Sequence, residues 1–107
     1  MSPKIDIRRP DPARAVVVLT GEHDSYTAEK LAQTLTELLD EGCSVVVDLT
    51  TATFIDSQTA AALVAARRRA EEEEADFGVV IGPKTGWPVR HLLDVTGLRG
   101  LLGVSER

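Results

Sequence analysis

Three short hydrophobic runs rich in valine stand out along the chain. Continuous runs of this length are typical of strands covered on both faces of a sheet. They are AVVVLTG at 15–21, CSVVVDL at 43–49 and FGVVIG at 77–82. Ile5 and Ile7 instead alternate with charged neighbours, which predicts a half-exposed edge strand that ends at the turn-forming Pro10. LLGV at 101–104 predicts a final strand.

Between the first two runs, hydrophobic residues recur three or four positions apart over 28–39, which predicts an amphipathic helix. Its N-cap is expected to be Asp24, Ser25 or Thr27, because short polar side chains accept hydrogen bonds from the free amides of a first helical turn. Gly42 supplies the stop, since glycine readily adopts the left-handed backbone that follows many helices.

Two further helices are predicted in the second half of the chain. A polar loop at 50–53 leads into a segment from 57 to about 74 that is rich in Ala, Leu, Arg and Glu, all good helix formers. Its three consecutive arginines, at 67–69, each stand four residues before a glutamate, as in a solvated helix end. The third helix covers 88–96 and ends at Gly97.

The predicted order of elements is β-β-α-β-α-β-α-β. Strands that alternate with helices indicate a single α/β domain with a mixed, mostly parallel sheet, and a chain of 107 residues has the length of one domain. Functional residues of such sheets gather at the carboxyl ends of the strands. Here those ends are 22–24, 50–56 and 82–86.

Composition and charge exclude several classes of protein. The net charge of −5 and the pI near 4.9 would repel nucleic acid on average, and four aromatic residues offer no evident platform for stacking bases. Cys43 is the sole cysteine, so no internal disulfide or CxxC motif can form. No run approaches the roughly 20 apolar residues of a membrane span, and a cytoplasmic location is expected.

Enzyme motifs are weak in this sequence. GPKTG at 82–86 lacks the spacing of a phosphate-binding loop, and IDSQT at 55–59 is not the GxSxG elbow of a hydrolase. His23 and His91 are isolated, the first in a predicted loop and the second in an apolar helix. The carboxylates of Glu22, Asp24 and Asp56 could converge on a cation, but their spacing does not require it. No enzyme activity, cofactor or metal is therefore predicted.

A phosphoaspartate receiver is a remote alternative. Asp48 lies at the end of a predicted buried strand in a doubly wound pattern, and Glu22 with Asp24 could imitate the acidic pair of receivers. Receivers also carry a lysine after their last strand, and LLGVSER contains none.

Ser57 has two interpretations. Asp56 or Ser57 can cap the second helix, which is the common role of such residues. A hydroxyl at the first helical position also lies beside unpaired amides and the positive end of the helix dipole, where a phosphate can be accommodated without unfolding the helix.

Three blocks of the sequence together resemble the STAS domain of bacterial anti-sigma factor antagonists. They are VVVLTGEHDSYTAEKLAQTL at 16–35, VVVDLTTATFIDSQTAAALV at 45–64 and VRHLLDVTGLRGLLGV at 89–104. The most specific parts are the Gly-Glu-x-Asp at 21–24, the Asp56-Ser57 pair and the Thr-Gly-Leu at 96–98. The similarity covers the chain from about 15 to 104.

The resemblance implies a binding module that acts as a phosphorylation switch. In its unmodified form such an antagonist binds a cytoplasmic anti-sigma factor, which is also a serine kinase, and so frees the sigma factor. The kinase phosphorylates the serine that is Ser57 here, the phosphoprotein dissociates, and a serine phosphatase resets it. By the same resemblance, the partner-facing residues are Glu22, Asp24, Asp56, Ser57, Gln58 and Thr59.

The chain departs from the family pattern at two places. The family often reads Asp-Ser-Ser-Gly-Leu, whereas Gln58, Thr59 and Ala60 follow the serine here, which makes Thr59 a second candidate acceptor. Only three residues follow the last predicted strand, so part of the sheet is expected to be open or covered by a partner. STAS domains also serve as scaffold subunits of membrane transport and stress-signalling assemblies, which is the alternative function.

Overall fold

The computed structural model describes residues 2–107, which form a five-stranded sheet and four helices. The elements are β1 Lys4–Asp11, β2 Arg14–His23, α1 Ser25–Asp40, β3 Ser44–Ile55, α2 Ser57–Glu72, β4 Phe77–Ile81, α3 Trp87–Val95, α4 Leu98–Leu101 and β5 Val104–Glu106. The strands lie side by side in sequence order, with β1 antiparallel to β2 and every other pair parallel. The predicted α/β domain, its mostly parallel sheet and the edge position of β1 are confirmed, but β1 continues through Pro10 to Asp11 and the turn follows at 12–13.

The two faces of the sheet differ in burial. Val17, Val47 and Val79 are paired across β2, β3 and β4 and are fully buried in the hydrophobic core with leucines of the helices. The neighbouring Val16 and Val46, on the opposite face, are only half-buried. Right-handed crossovers between strands taken in sequence order keep returning to the same face. The expectation that the central strands are covered on both faces was therefore wrong at Val16 and Val46, although Val18 and Asp48 on the same face are buried.

Strand β3 is longer than the sequence predicted. Residues 50–53, expected as a polar loop, continue β3 as far as Ile55. They pair with β2 through two register shifts, and the hydroxyl oxygens of Thr20 and Thr51 are 2.9 Å apart across this pair. Threonine favours strands because its branched side chain fits a pleated surface. The polar character of the segment reflects its exposed face, not a loop.

The end of the chain also differs from the prediction. Residues 98–101 form the short helix α4, and the last strand, β5, begins only at Val104. Gly97 separates α3 from α4 with a φ of 73°, a backbone conformation that favours glycine. The predicted stop at Gly97 is therefore correct, and the added helix moves the final strand toward the C-terminus. No helix within residues 2–107 is long and apolar enough to cross a membrane.

Candidate functional site

Two aspartates at the carboxyl edge of the sheet begin the two longest helices. His23 and Ile55, the last residues of the parallel strands β2 and β3, lie opposite each other. Asp24 follows the first, and its Oδ1 accepts the Tyr26 amide at 2.9 Å. Asp56 follows the second, and its Oδ1 accepts the Thr59 amide at 2.8 Å. Parallel pairing thus places the N-termini of α1 and α2 side by side.

The same four-residue pattern occurs at both helix starts. Asp-Ser-Tyr-Thr at 24–27 opens α1, and Asp-Ser-Gln-Thr at 56–59 opens α2. In each, the aspartate is the N-cap, and the serine is the first helical residue and is exposed. The site therefore contains an internal control, because Ser25 holds the same first position in α1 that Ser57 holds in α2.

Ser57 is open to solvent. Asp56 makes the capping hydrogen bond, so the Ser57 hydroxyl is free of that role. Gln58 is exposed as well, and Asp56 is half-buried. Glu22 and Asp24, at the end of β2, are both exposed. The structure therefore brings the predicted serine and the three predicted carboxylates to one edge of the sheet.

Thr59 does not share this surface. It is 0% exposed, and its hydroxyl donates to the main-chain oxygen of His23 at 3.2 Å. The third residue of α2 points toward the sheet, while Ser57 and Gln58 point away from it. The predictions that Thr59 contacts a partner and offers a second phosphate acceptor were therefore wrong for the folded chain.

The contacts of both histidines indicate structural roles. His23, expected in a loop, is the last residue of β2 and is fully buried. Its Nε2 donates to the Thr20 carbonyl oxygen at 3.0 Å, and its Nδ1 lies 3.0 Å from the Thr27 hydroxyl. His91 is exposed on α3, where its ring stacks on Trp87 with centroids 4.5 Å apart. His23 thus fixes the β2–α1 junction beneath the site.

Asp48 lies apart from the site. It is in the middle of β3 and not at a strand end, because β3 continues to Ile55. One carboxylate oxygen accepts the Thr50 amide at 2.8 Å, and the other is 3.2 Å from the Arg107 guanidinium. The sheet also lacks the strand-order reversal of a doubly wound fold. Both observations contradict the alternative hypothesis that the chain is a phosphoaspartate receiver with Asp48 as its phosphate acceptor.

Three aromatic side chains at the carboxyl edge were missed by the sequence analysis. Tyr26 is 90% exposed, Trp87 69% and Phe54 39%. We call these three residues the aromatic rim. Tyr26 is the second residue of α1, Phe54 lies near the end of β3, and Trp87 begins α3. Their positions in the sequence could have revealed them, because each lies near the carboxyl end of a predicted strand or at the start of a predicted helix.

A groove of about 420 Å³ begins at Ser57 and runs between α2 and the α3–α4 corner. Alanines and valine of α2 form one wall, and Leu92 and Leu98 are on the other. Arg68 is the only charged residue among those that line it. Within residues 2–107, no group of three or more His, Cys, Asp or Glu side chains is placed to hold a metal ion.

The family described as "Mlab, STAS domain" matches residues 8–103, which is most of the chain. The chain belongs to the STAS domain family. Among proteins with curated descriptions, none matches its sequence.

Solved STAS structures share the fold over nearly the whole chain. An anti-sigma factor antagonist from Mycobacterium paratuberculosis is 26% identical, with a TM-score of 0.78 over 96% of this chain and 85% of that one. Unphosphorylated SpoIIAA, also an anti-sigma factor antagonist, is 15% identical, with a TM-score of 0.83 over 97% and 88%. The phosphorylated form of the Bacillus cell fate determinant SpoIIAA is 14% identical, with 0.75 over 97% and 91%. This STAS domain therefore has the fold of anti-sigma factor antagonists.

Proposed function

We propose that this STAS domain is an anti-sigma factor antagonist switched by phosphorylation of Ser57. Its unmodified form binds an anti-sigma factor serine kinase and frees the sigma factor, and phosphorylation ends the binding. A serine phosphatase restores the active form. The observation that carries the proposal is that Ser57, the first residue of α2, is exposed next to its capping Asp56 at the edge of the sheet where the exposed Glu22 and Asp24 also lie.

A phosphate on Ser57 is compatible with the fold. The Asp56 carboxylate and carbonyl oxygen accept the amides of Thr59 and Ala60. The amides of Ser57 and Gln58 have no partner within the helix, because the first amides of any α-helix lack one. A phosphate at this end also meets the positive end of the helix dipole. SpoIIAA is known in unphosphorylated and phosphorylated forms that both resemble this fold.

Charge explains how a phosphate would weaken docking. Phosphorylation adds about −1.5 to −2 charge units beside the site's three carboxylates. Repulsion between unit charges about 6 Å apart costs about 0.7 kcal/mol in water and near 3 kcal/mol at an effective dielectric constant of 20. Docking of a partner removes water from the site, so the repulsion energy rises toward the value of near 3 kcal/mol. A difference of about 2 kcal/mol lowers affinity more than tenfold without any refolding.

The aromatic rim adds the kind of contact that stabilises protein interfaces. Tryptophan and tyrosine dominate the binding energy of many interfaces, because they bury a large area with few rotatable bonds. Tyr26 and Trp87 are the two most exposed large hydrophobic residues of residues 2–107. The carboxylates around them disfavour a nucleic acid at this edge, so a protein partner fits the surface better.

A reconstituted reaction tests the proposal. We expect the domain to bind an anti-sigma factor serine kinase of the same organism and to be phosphorylated on Ser57 when ATP and Mg²⁺ are added. Mass spectrometry identifies the modified residue, and calorimetry measures the affinity. Ser57→Ala should bind and resist release by ATP, whereas Ser57→Asp should bind at least tenfold more weakly. Ser25→Ala is the matched control and should behave as wild type.

The result that contradicts the proposal is equal affinity of the Ala and Asp variants at position 57. The scaffold alternative is decided by a pull-down from native cells. Recovery of a transport ATPase in place of a kinase, with Ser57 unmodified, would favour the scaffold function.

A further inference from the structure

The groove next to Ser57 has the form of a docking site. Its volume of about 420 Å³ lies within the range of small-molecule binding sites. Ser57, Ala61 and Arg68 lie along one stripe of α2, and eleven residues of helix separate its ends by about 16 Å at 1.5 Å per residue. That length corresponds to about three helical turns.

Arg68 lines the groove, and of the three consecutive arginines at 67–69 it is the one without an ion-pair partner among residues 2–107. Arg67 is paired with Glu71, and its guanidinium also donates to the carbonyl oxygens of Phe77 and Leu102. Arg69 is paired with Glu73 and with Asp40. Arg68 is exposed and makes no ion pair with any other residue from 2 to 107, so the expected pair with Glu72 does not form. A ligand carboxylate would find an unpaired guanidinium here.

Two further exposed apolar side chains lie on α3 and α4, the helices that supply one wall of the groove. Val95 at the end of α3 is 64% exposed, and Leu101 at the end of α4 is 49% exposed. They stand three residues before and three residues after Leu98, which lines the groove. An elongated apolar occupant would cover more of this surface than a compact small molecule.

We propose that the groove binds an amphipathic α-helix of the anti-sigma factor kinase, with an aspartate or glutamate of that helix paired to Arg68. The proposal rests on the function proposed above. The small side chains of Ala61 and Ala65 allow a second helix to approach closely, and apolar residues three and four apart on it meet Leu92 and Leu98. A phosphate on Ser57 stands at the mouth of the groove and hinders the helix from seating, which couples the switch to the docking site.

Groove-blocking variants test the inference in the complex with the kinase. Ala65→Trp fills the groove from an exposed position, and Arg68→Glu replaces attraction of a carboxylate by repulsion. Each should lower the affinity for the kinase at least tenfold. Gln33→Trp on α1 and Arg8→Glu on β1 make the same changes at exposed positions outside the groove and should keep wild-type affinity. Thermal unfolding shows that each variant is folded.

The outcomes separate the two proposals. Wild-type affinity for both groove variants overturns the docking site and leaves the antagonist function standing. Failure of the wild-type domain to bind the kinase overturns both proposals.

A cross-link identifies the occupant. Cys43 is fully buried, so Ala65→Cys adds the one accessible thiol of the described chain. A thiol-to-amine cross-linker followed by mass spectrometry should join position 65 to an amphipathic helical segment that contains an acidic residue. Cross-links confined to a loop or strand of the kinase would overturn the helix assignment.

Discussion

The hydroxyl of Thr59 donates to the main-chain oxygen of His23 at 3.2 Å, so the first turn of α2 is fastened to the end of β2. The same oxygen accepts the Asp56 amide at 3.1 Å. These two hydrogen bonds hold the cap of α2 in place while Ser57, two residues before Thr59, remains exposed.

Thr59→Val should therefore destabilise the domain and spare the switch. Valine keeps the shape and loses the buried hydrogen bond, which lowers the free energy of unfolding by about 1 kcal/mol. Urea denaturation measures this loss, and phosphorylation by the kinase should still occur on Ser57. A phosphate found on Thr59 in the folded native protein would contradict the burial argument.

Asp56 combines two roles that substitutions can separate. Asp56→Ala removes the cap of α2 and should cost about 1 kcal/mol of stability. Asp56→Asn keeps a capping oxygen and removes the charge, so it should retain stability while weakening the repulsion of a phosphate on Ser57. Denaturation measures the first effect, and the affinity of the phosphorylated form measures the second. Equal stability of the two variants would mean that the cap contributes nothing.

Gly86 is required by a close backbone approach. A Cβ at this position would lie 2.3 Å from the carbonyl oxygen of Thr53 and 2.7 Å from the Cα of Thr53. Both are backbone atoms, so a change of side-chain rotamer cannot relieve the clash. Gly86→Ala should lower stability by about 2–3 kcal/mol and displace Trp87. Gly78→Ala is the control, because a Cβ there meets nothing within 4 Å. Thermal denaturation of the two variants tests this prediction, and equal unfolding midpoints would refute the steric argument.

Trp87 is expected to act in binding and not in folding. Since its side chain is 69% exposed, Trp87→Ala should change stability little and lower affinity for the kinase at least tenfold. Ile7→Ala removes a comparably exposed apolar side chain from the edge strand and should keep full affinity. Calorimetry with both variants tests the aromatic rim, and unchanged affinity for Trp87→Ala would exclude Trp87 from the interface.

Glu106 gives a pH dependence at the end of β5. Hydrogen bonds and charge from Arg90, and then from Arg99, hold the pKa of this carboxyl below its ordinary value of 4.5. The ionised form is thus favoured by folding, so its contribution is full above the unfolded pKa and is lost as the pH falls through the lower folded pKa. Glu106→Gln should be less stable than wild type near pH 7, and the difference should shrink below about pH 4.5. A difference that grows on acidification would contradict this sign.

The local elements follow from the sequence because their signals are local. The helical spacing over 28–39, the valine runs and the stop at Gly97 predicted the main helices and strands. The N-caps of α1 and α2 could be predicted because a cap needs only neighbouring residues, whereas the candidate site around Ser57 was predicted from the resemblance to the family. The three motif blocks at 16–35, 45–64 and 89–104 together indicated the family.

Tertiary structure alone decided which of these residues face solvent. Whether residues 50–53 form a loop or a strand depends on pairing with β2, and composition does not record that pairing. The same packing buries Thr59 against His23 and leaves Tyr26 and Trp87 exposed at one edge. Sequence determines what each segment can form, whereas burial depends on contacts between segments distant in the chain, and these set the surface that a partner meets.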